Sequence, residues 1–258
     1  MSTQHTSTPD ISSVDDSIYS WKKRLLGFFI TLSIYALYYP ATHYTAQLPT
    51  VDVAFDLDYQ IPLIPSFMFI YAMIYPIAIF PLFLIASRVV FKRVIVAYCV
   101  LEILTLLCFL IFPVHMHTRP AMSEIQIHSF WQWCLCLCYH LDLPTCCFPS
   151  LHVSTSILSA LCCWHVRRFW GYFIGTIAFL ISLSTLFVKQ HFIADVLLGG
   201  SLAYLVYYIF LVRANYVDFS PRSSAIVSFH YRLIPLSLFS ILVISCYFAY
   251  CNQYYPWL

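Results

Sequence analysis

Two histidines, 39 positions apart, each stand beside a polar partner where a strongly apolar run begins or ends. One lies in Phe148-Pro149-Ser150-Leu151-His152-Val153-Ser154, the other in Lys189-Gln190-His191-Phe192-Ile193-Ala194-Asp195. An imidazole offers a nucleophilic nitrogen and a proton carrier near neutral pH. Asp195 follows His191 by four positions, a spacing that puts both on one face of a helix. There the carboxylate can hold one ring nitrogen and leave the other free for attack or proton transfer. Taken alone, the pair also fits a plain polar tie between two helices.

The first segment adds anion chemistry. Pro149 suits the first turn of a helix, where its missing N–H costs nothing. Ser150 and its backbone N–H would then join the unpaired donors of a helix start, with His152 one turn further in. Arg119 supplies a fork-shaped phosphate binder and Lys189 a point charge. A nucleophile (His191), its orienting carboxylate (Asp195), an acid (His152) and anion-binding groups (Arg119, Ser150, Lys189) suffice for phosphoryl transfer, which needs positioning and charge neutralisation above all.

The elements that must position these groups are membrane helices. The chain is 61% hydrophobic and 9% charged, with 22 Phe and 20 Tyr in 258 residues. A soluble domain carries about 25% charged residues. Seven apolar stretches have spanning length, at about 25–42, 66–86, 94–113, 149–166, 170–188, 193–212 and 233–250. Ser, His and Pro interrupt the fourth, and Ser, Cys and Tyr dilute the seventh. The expected domains are a polar, disordered N-terminus (1–21) and an all-α integral membrane domain (22–258). The polar lead is long for a signal peptide and lacks a clear small-x-small site, so the first span is read as uncleaved.

Charge placement orients the spans. With a cytoplasmic N-terminus, 11 of the 13 basic residues fall on the cytoplasmic side, as positive-inside bias requires. The exceptions are Arg119 and Lys189, on the face that carries His152, His191 and Asp195. The long connections at 43–65 and 114–148 lie on that face too, where binding segments commonly reside. The cytoplasmic connections at 87–93 and 167–169 are short, and 213–232, with Pro221 and several serines, reads as a linker. Residues 125–139 are amphipathic and Trp-bearing, suited to the external interface.

Most of the 11 cysteines sit in apolar runs, where Cys acts as a small hydrophobe. Cys134, Cys136 and Cys138 alternate, and a disulfide from that group to Cys146 or Cys147 stays open. His115 and His117 precede Arg119, but no neighbouring carboxylate completes a metal site; phosphate or headgroup contact is their other reading.

Three segments resemble the signatures of the type-2 phosphatidic acid phosphatase superfamily: Arg119-Pro120, Pro149-Ser150-Leu151-His152, and His191 with Asp195 four residues on. The superfamily includes lipid phosphate phosphatases, haloperoxidases and sphingolipid synthases. The resemblance covers about residues 55–212. It implies a six-helix bundle, with an additional C-terminal span outside it. It also implies His191 as phosphoryl-accepting nucleophile, Asp195 as its partner, His152 as general acid, Ser150 and Arg119 as phosphate ligands, and no metal or other cofactor.

The chain departs from the pattern in three places. Phe112 stands where a lysine is usual, Ser184-Thr185 where Ser-Arg is usual, and Leu151 where glycine is common. Lys189 looks like the replacement for the missing cation. Phe-Pro-Ser-Leu-His, and Asp58 through Pro65 followed by Tyr71, also resemble the inositol phosphorylceramide synthase branch.

The expectation is a membrane lipid phosphate phosphatase working at the periplasmic, extracellular or lumenal face. Headgroup transfer between lipids and non-enzymatic lipid binding or transport are the alternatives. The expected partner is a membrane lipid phosphate. Nothing points to nucleic acid or to a required protein partner.

Overall fold

A computed structural model describes residues 21–214 and 227–257, and every regular element in them is helical. Residues 1–20 of the expected polar N-terminus and 215–226 of the linker expected over 213–232 lie outside the described residues, while Phe229–Arg232 of that linker are helical and open the last span. Six helical stretches are long and apolar enough to cross a membrane: Lys22–Thr45, Pro65–Leu84, Arg88–Ile111, Arg168–Phe187, Ile193–Val212 and Phe229–Cys251. The chain is a multi-pass membrane protein.

Prolines set the breaks within several spans. The first consists of α1 (Trp21–Tyr35) and α2 (Tyr38–Thr45). Pro40 has no N–H for the Ala36 carbonyl, which instead accepts from Tyr39 at 3.3 Å, and the helix kinks there. After the short α3 (Asp56–Gln60), a second break at Met73, three residues before Pro76, separates α4 (Met68–Ala72) from α5 (Ile74–Leu84).

Next come α6 (Arg88–Ile111) and α7 (Phe130–Leu141), the latter overlapping the stretch 125–139 expected to be amphipathic and ending two residues beyond it. Arg88, Lys92 and Arg93, expected in a loop over 87–93, are already helical, because Ser87 caps α6 and only 85–87 connects it to α5. α8 (Leu151–Val166), α9 (Arg168–Phe187) and α10 (Ile193–Tyr207, continued by a π turn to Val212) follow. The last span is α11 (Phe229–Arg232) with α12 (Ile234–Cys251), broken at Leu233, two residues before Pro235 in the first turn of α12.

α8 sits at the centre. Its 16 residues rise only about 24 Å, short for a bilayer of about 30 Å. That length is tolerated because protein rather than lipid surrounds it. Leu158 and Cys162 pack with Leu101 of α6 and Val206 of α10, while Cys163 meets Ile174 and Ile181 of α9. Gly171 lets α9 close on α8, since a Cβ there would lie 2.5 Å from Trp164 Cα. The serines that dilute this span are satisfied internally. Ser154 and Ser156 donate to carbonyls one turn back, and Ser159 donates to the Ile77 carbonyl at 2.6 Å.

Links between elements define two ends. At one, Ile64 N–H donates to the Phe187 carbonyl, Val51 to Pro113 and Ser150 to Asp195. At the other, Val227 N–H reaches the Leu84 carbonyl, and Arg24 donates to the carbonyls of Leu82 and Ile85. Arg24 therefore closes the C-terminal end of α5 as well as adding to the basic count on that side.

Candidate active site

The chain turns tightly where it delivers His191. Beyond α9, Lys189 takes a left-handed φ of 52°, Gln190 N–H reaches back to the Thr185 carbonyl at 2.9 Å, and Lys189 N–H to Leu186 at 3.2 Å. This helix-terminating pattern favours glycine at the left-handed position, and a lysine there costs about 1 kcal/mol. The Lys189 ammonium reaches across to the Asp58 carbonyl oxygen at 3.0 Å. Burial pushes its pKa down, and the Asp58 charge pushes it part of the way back.

Asp58 ties the first external connection to this turn. One carboxylate oxygen accepts from Ile193 N–H at 2.9 Å at the start of α10, the other from Phe55 N–H at 2.8 Å.

His191 and Asp195 meet, although not on a shared helix face. α10 starts at Ile193, so His191 precedes the helix and Asp195 belongs to its first turn. The fully buried Asp195 carboxylate folds back over the helix start. It accepts from Phe192 N–H at 2.8 Å and from His191 Nδ1 at 3.4 Å. The shorter contact of His191 Nδ1 is to the Cys147 carbonyl, at 3.0 Å. A carbonyl only accepts, so Nδ1 carries the hydrogen and Nε2 keeps its lone pair. That Nε2 faces His152 Nδ1 at 3.5 Å, and His152 Nε2 meets the Tyr71 hydroxyl at 2.8 Å. One consistent hydrogen order runs through the chain: Tyr71 O–H to His152, His152 Nδ1–H to His191, His191 Nδ1–H to Cys147.

The Ser150 reading changes. Pro149 precedes the helix, Ser150 is its N-cap and Leu151 its first residue, so His152 is second rather than a turn inside. Ser150 N–H is not an open donor, because it gives its hydrogen to the Asp195 carbonyl at 3.0 Å. Its Oγ accepts from Val153 N–H at 3.2 Å, which satisfies another first-turn donor and leaves the hydroxyl hydrogen to give. Gly199 permits this contact between helices, since a Cβ there would sit 2.7 Å from the Ser150 carbonyl.

Arg119 and Lys189 are the two expected anion-binding cations, and the hydrogen bonds described for both go to carbonyls. The Arg119 guanidinium donates to Asp142 O at 2.8 Å and Tyr139 O at 2.6 Å, and stacks over the Tyr139 ring at 3.7 Å. It closes the C-terminal end of α7, which packs over the site through Leu135 and Tyr139. Tyr139 O–H in turn donates to the Val188 carbonyl at 2.8 Å. His117 pairs with the Tyr59 hydroxyl at 2.8 Å and lies against Phe192, next to His191.

Three features escaped the sequence reading. Asp142 accepts from the Tyr38 hydroxyl. Burial raises its carboxyl above the usual carboxylate range, against lowering by that hydroxyl and by His191 and Arg119. The Cys147 carbonyl has no sequence signal at all, being backbone. Tyr71 has no sequence signal beyond its place after the stretch that resembles the inositol phosphorylceramide synthase branch. All 11 cysteines are free thiols, so the open disulfide is not formed; Cys146 Sγ instead lies 3.1 Å from Thr45 Oγ1.

Comparison with known families finds a PAP2 superfamily domain over residues 93–218. That stretch contains Arg119, Ser150, His152, Lys189, His191 and Asp195, and favours no branch of the superfamily. No curated protein and no solved structure matches the chain.

Proposed function

We propose that the chain is a membrane lipid phosphate phosphatase that works through a phosphohistidine. The observation that carries this is the orientation of the two imidazoles. His191 Nε2 is left unprotonated by the Cys147 carbonyl on Nδ1 and faces His152 at 3.5 Å. The superfamily domain supports lipid-phosphate chemistry in general.

In the first step His152 has taken up a proton on Nε2, which then donates to the Tyr71 oxygen in place of the resting order. It gives its Nδ1 proton to the leaving lipid oxygen while His191 Nε2 attacks phosphorus. The P–O bond to the lipid breaks as the N–P bond forms. In the second step His152, now neutral, takes a proton from water, whose oxygen displaces His191 and releases phosphate. Asp195 favours the positive charge that the His191 ring carries as a phosphohistidine. Ser150 O–H, the Leu151 and His152 N–H groups of the α8 start, Arg119 and Lys189 are the groups assigned to the phosphate oxygens. For Arg119 and Lys189 this requires a shift of hydrogen bonds from carbonyls to substrate.

Headgroup transfer is the second reading, favoured by an apolar cavity that ends on His152. A lipid alcohol there would replace water in the second step and use the same residues. The charge count orients this end of the bundle away from the cytoplasm, with the N-terminus inside.

Radiolabelled phosphatidate, phosphatidylglycerophosphate, prenyl diphosphate and a phosphoinositide with ceramide should be incubated with purified protein. The expected result is free phosphate and an acid-labile phosphohistidine, absent from His191→Ala. A new phospholipid product would favour transfer instead. Turnover in the His191→Ala variant, or lipid binding without any turnover in wild type, would sink the mechanism.

A further inference from the structure

A cavity of about 310 Å³ lies between α1, α5, α6 and α8 and ends on His152. Its walls are largely apolar, with residues such as Phe28, Leu32, Ile74 and Ile79. The volume is at the lower end of the roughly 300–1,000 Å³ of small-molecule sites. α1, which forms one wall, turns Leu25, Leu26, Phe29 and Ile30 outward, so only a lipid-facing helix separates the cavity from the bilayer.

The polar groups facing this space are out of keeping with it. Glu102 is 5% exposed, and its Oε2 has no hydrogen-bond partner. The Tyr98 hydroxyl, which has the Ser159 hydroxyl as a polar neighbour, also lacks a partner in hydrogen-bonding geometry. Both residues line the cavity. Thr105, fully buried and outside the cavity lining, has an unpartnered oxygen as well. Positions 98, 102 and 105 share one face of α6. Glu102 lies nine residues before Ile111, roughly 14 Å of helix rise from the end that holds the histidines. A buried polar group without a partner costs about 1–3 kcal/mol, and an ionisable one within hydrocarbon more. Two of them, Glu102 and Tyr98, line an open cavity and call for a ligand that supplies the missing bonds.

The cavity touches His152 and not His191. It is therefore on the side of the group that gives the leaving oxygen its proton. We infer that it holds the lipid portion attached through that oxygen, and that Glu102 and Tyr98 select a lipid with an amide or hydroxyl among its hydrocarbon. The alignment with His152 rests on the function proposed above. A purely saturated chain would fill the space and leave Glu102 unpaired. A hydrogen-bonding chain would fill it and satisfy Glu102 together with Tyr98.

Binding can be read without turnover. The full chain in nanodiscs is photolabelled with an N-acyl amino alcohol bearing a diazirine in its chain, and with an alkanol of equal length bearing the same group. The expected result is labelling of α6 and α8 peptides about tenfold stronger with the amide probe, the worth of roughly one buried hydrogen bond. Glu102→Leu should remove that preference and Glu102→Gln keep most of it. Ala78→Phe, which fills the cavity without touching its polar groups, should suppress labelling by both probes. Equal labelling of wild type by the two probes overturns the inference, even if Glu102→Leu fails to fold. So does a preference that survives both Glu102→Leu and Ala78→Phe in folded protein.

Phosphate esters of the two probes are assayed alongside. Selective labelling with neither ester hydrolysed counts against the phosphatase reading and leaves the subsite. Hydrolysis of both with equal labelling does the reverse.

Discussion

The proton order among Tyr71, His152, His191 and the Cys147 carbonyl is set by one acceptor that cannot donate. Asp195, the residue whose spacing first drew attention, contributes more to the start of α10 than to His191: its bond to Phe192 N–H is 2.8 Å, against 3.4 Å to the ring. Tyr71 holds the far nitrogen of His152 at 2.8 Å from a buried position. Tyr71→Phe keeps the ring and deletes that bond. It should lower kcat about tenfold with KM nearly unchanged, measured on whichever lipid phosphate proves active. An unchanged kcat would mean that His152 needs no such support.

Turns and helix starts, rather than helix faces, carry the site at the level of elements. The α9 end illustrates this. Lys189 occupies a backbone conformation that glycine would adopt more easily, and its ammonium bridges to Asp58. Lys189→Gly should relieve about 1 kcal/mol of backbone cost yet reduce activity, because the tie to the first external connection and the cation are both lost. A thermal melt paired with the phosphate-release assay separates the two effects.

The contact of α10 with the α8 start is equally local. Gly199→Val would drive a side chain into the Ser150 carbonyl, which lies 2.7 Å from the Cβ position. The expected loss is about 1–3 kcal/mol of stability. A displacement of the α8 start by a fraction of an ångström should cost about tenfold or more in activity. Retained activity would show that the start of α8 can shift without consequence.

On the scale of the whole molecule, the helices bring residues from 58 to 195 to one end of a membrane bundle. The basic residues, counted along the chain, carry the proposal that this end faces away from the cytoplasm and the N-terminus lies inside. Reporter fusions check it. A periplasm-dependent alkaline phosphatase joined after residue 128 should be active, and one joined after residue 168 inactive. The reverse pattern would invert the bundle and leave the chemistry untouched.

Hydrophobic content and run length alone determined that this chain crosses a membrane several times, because about 20 apolar residues have no other economical place. Residue type and spacing also singled out His152, His191 and Asp195, since ionisable groups at membrane edges are rare without a use. Helix starts were less legible. Pro149 fits a first turn, but the Ser150 side chain caps Val153 N–H, so the helix begins at Leu151. The roles of Cys147 and Gly199 were not legible, because a backbone carbonyl and a missing side chain act only through what tertiary packing sets against them. Glu102 shows the same division: its carboxyl is plain within an apolar run, and only the packing of α1, α5 and α8 around α6 decided that it faces a cavity without a partner.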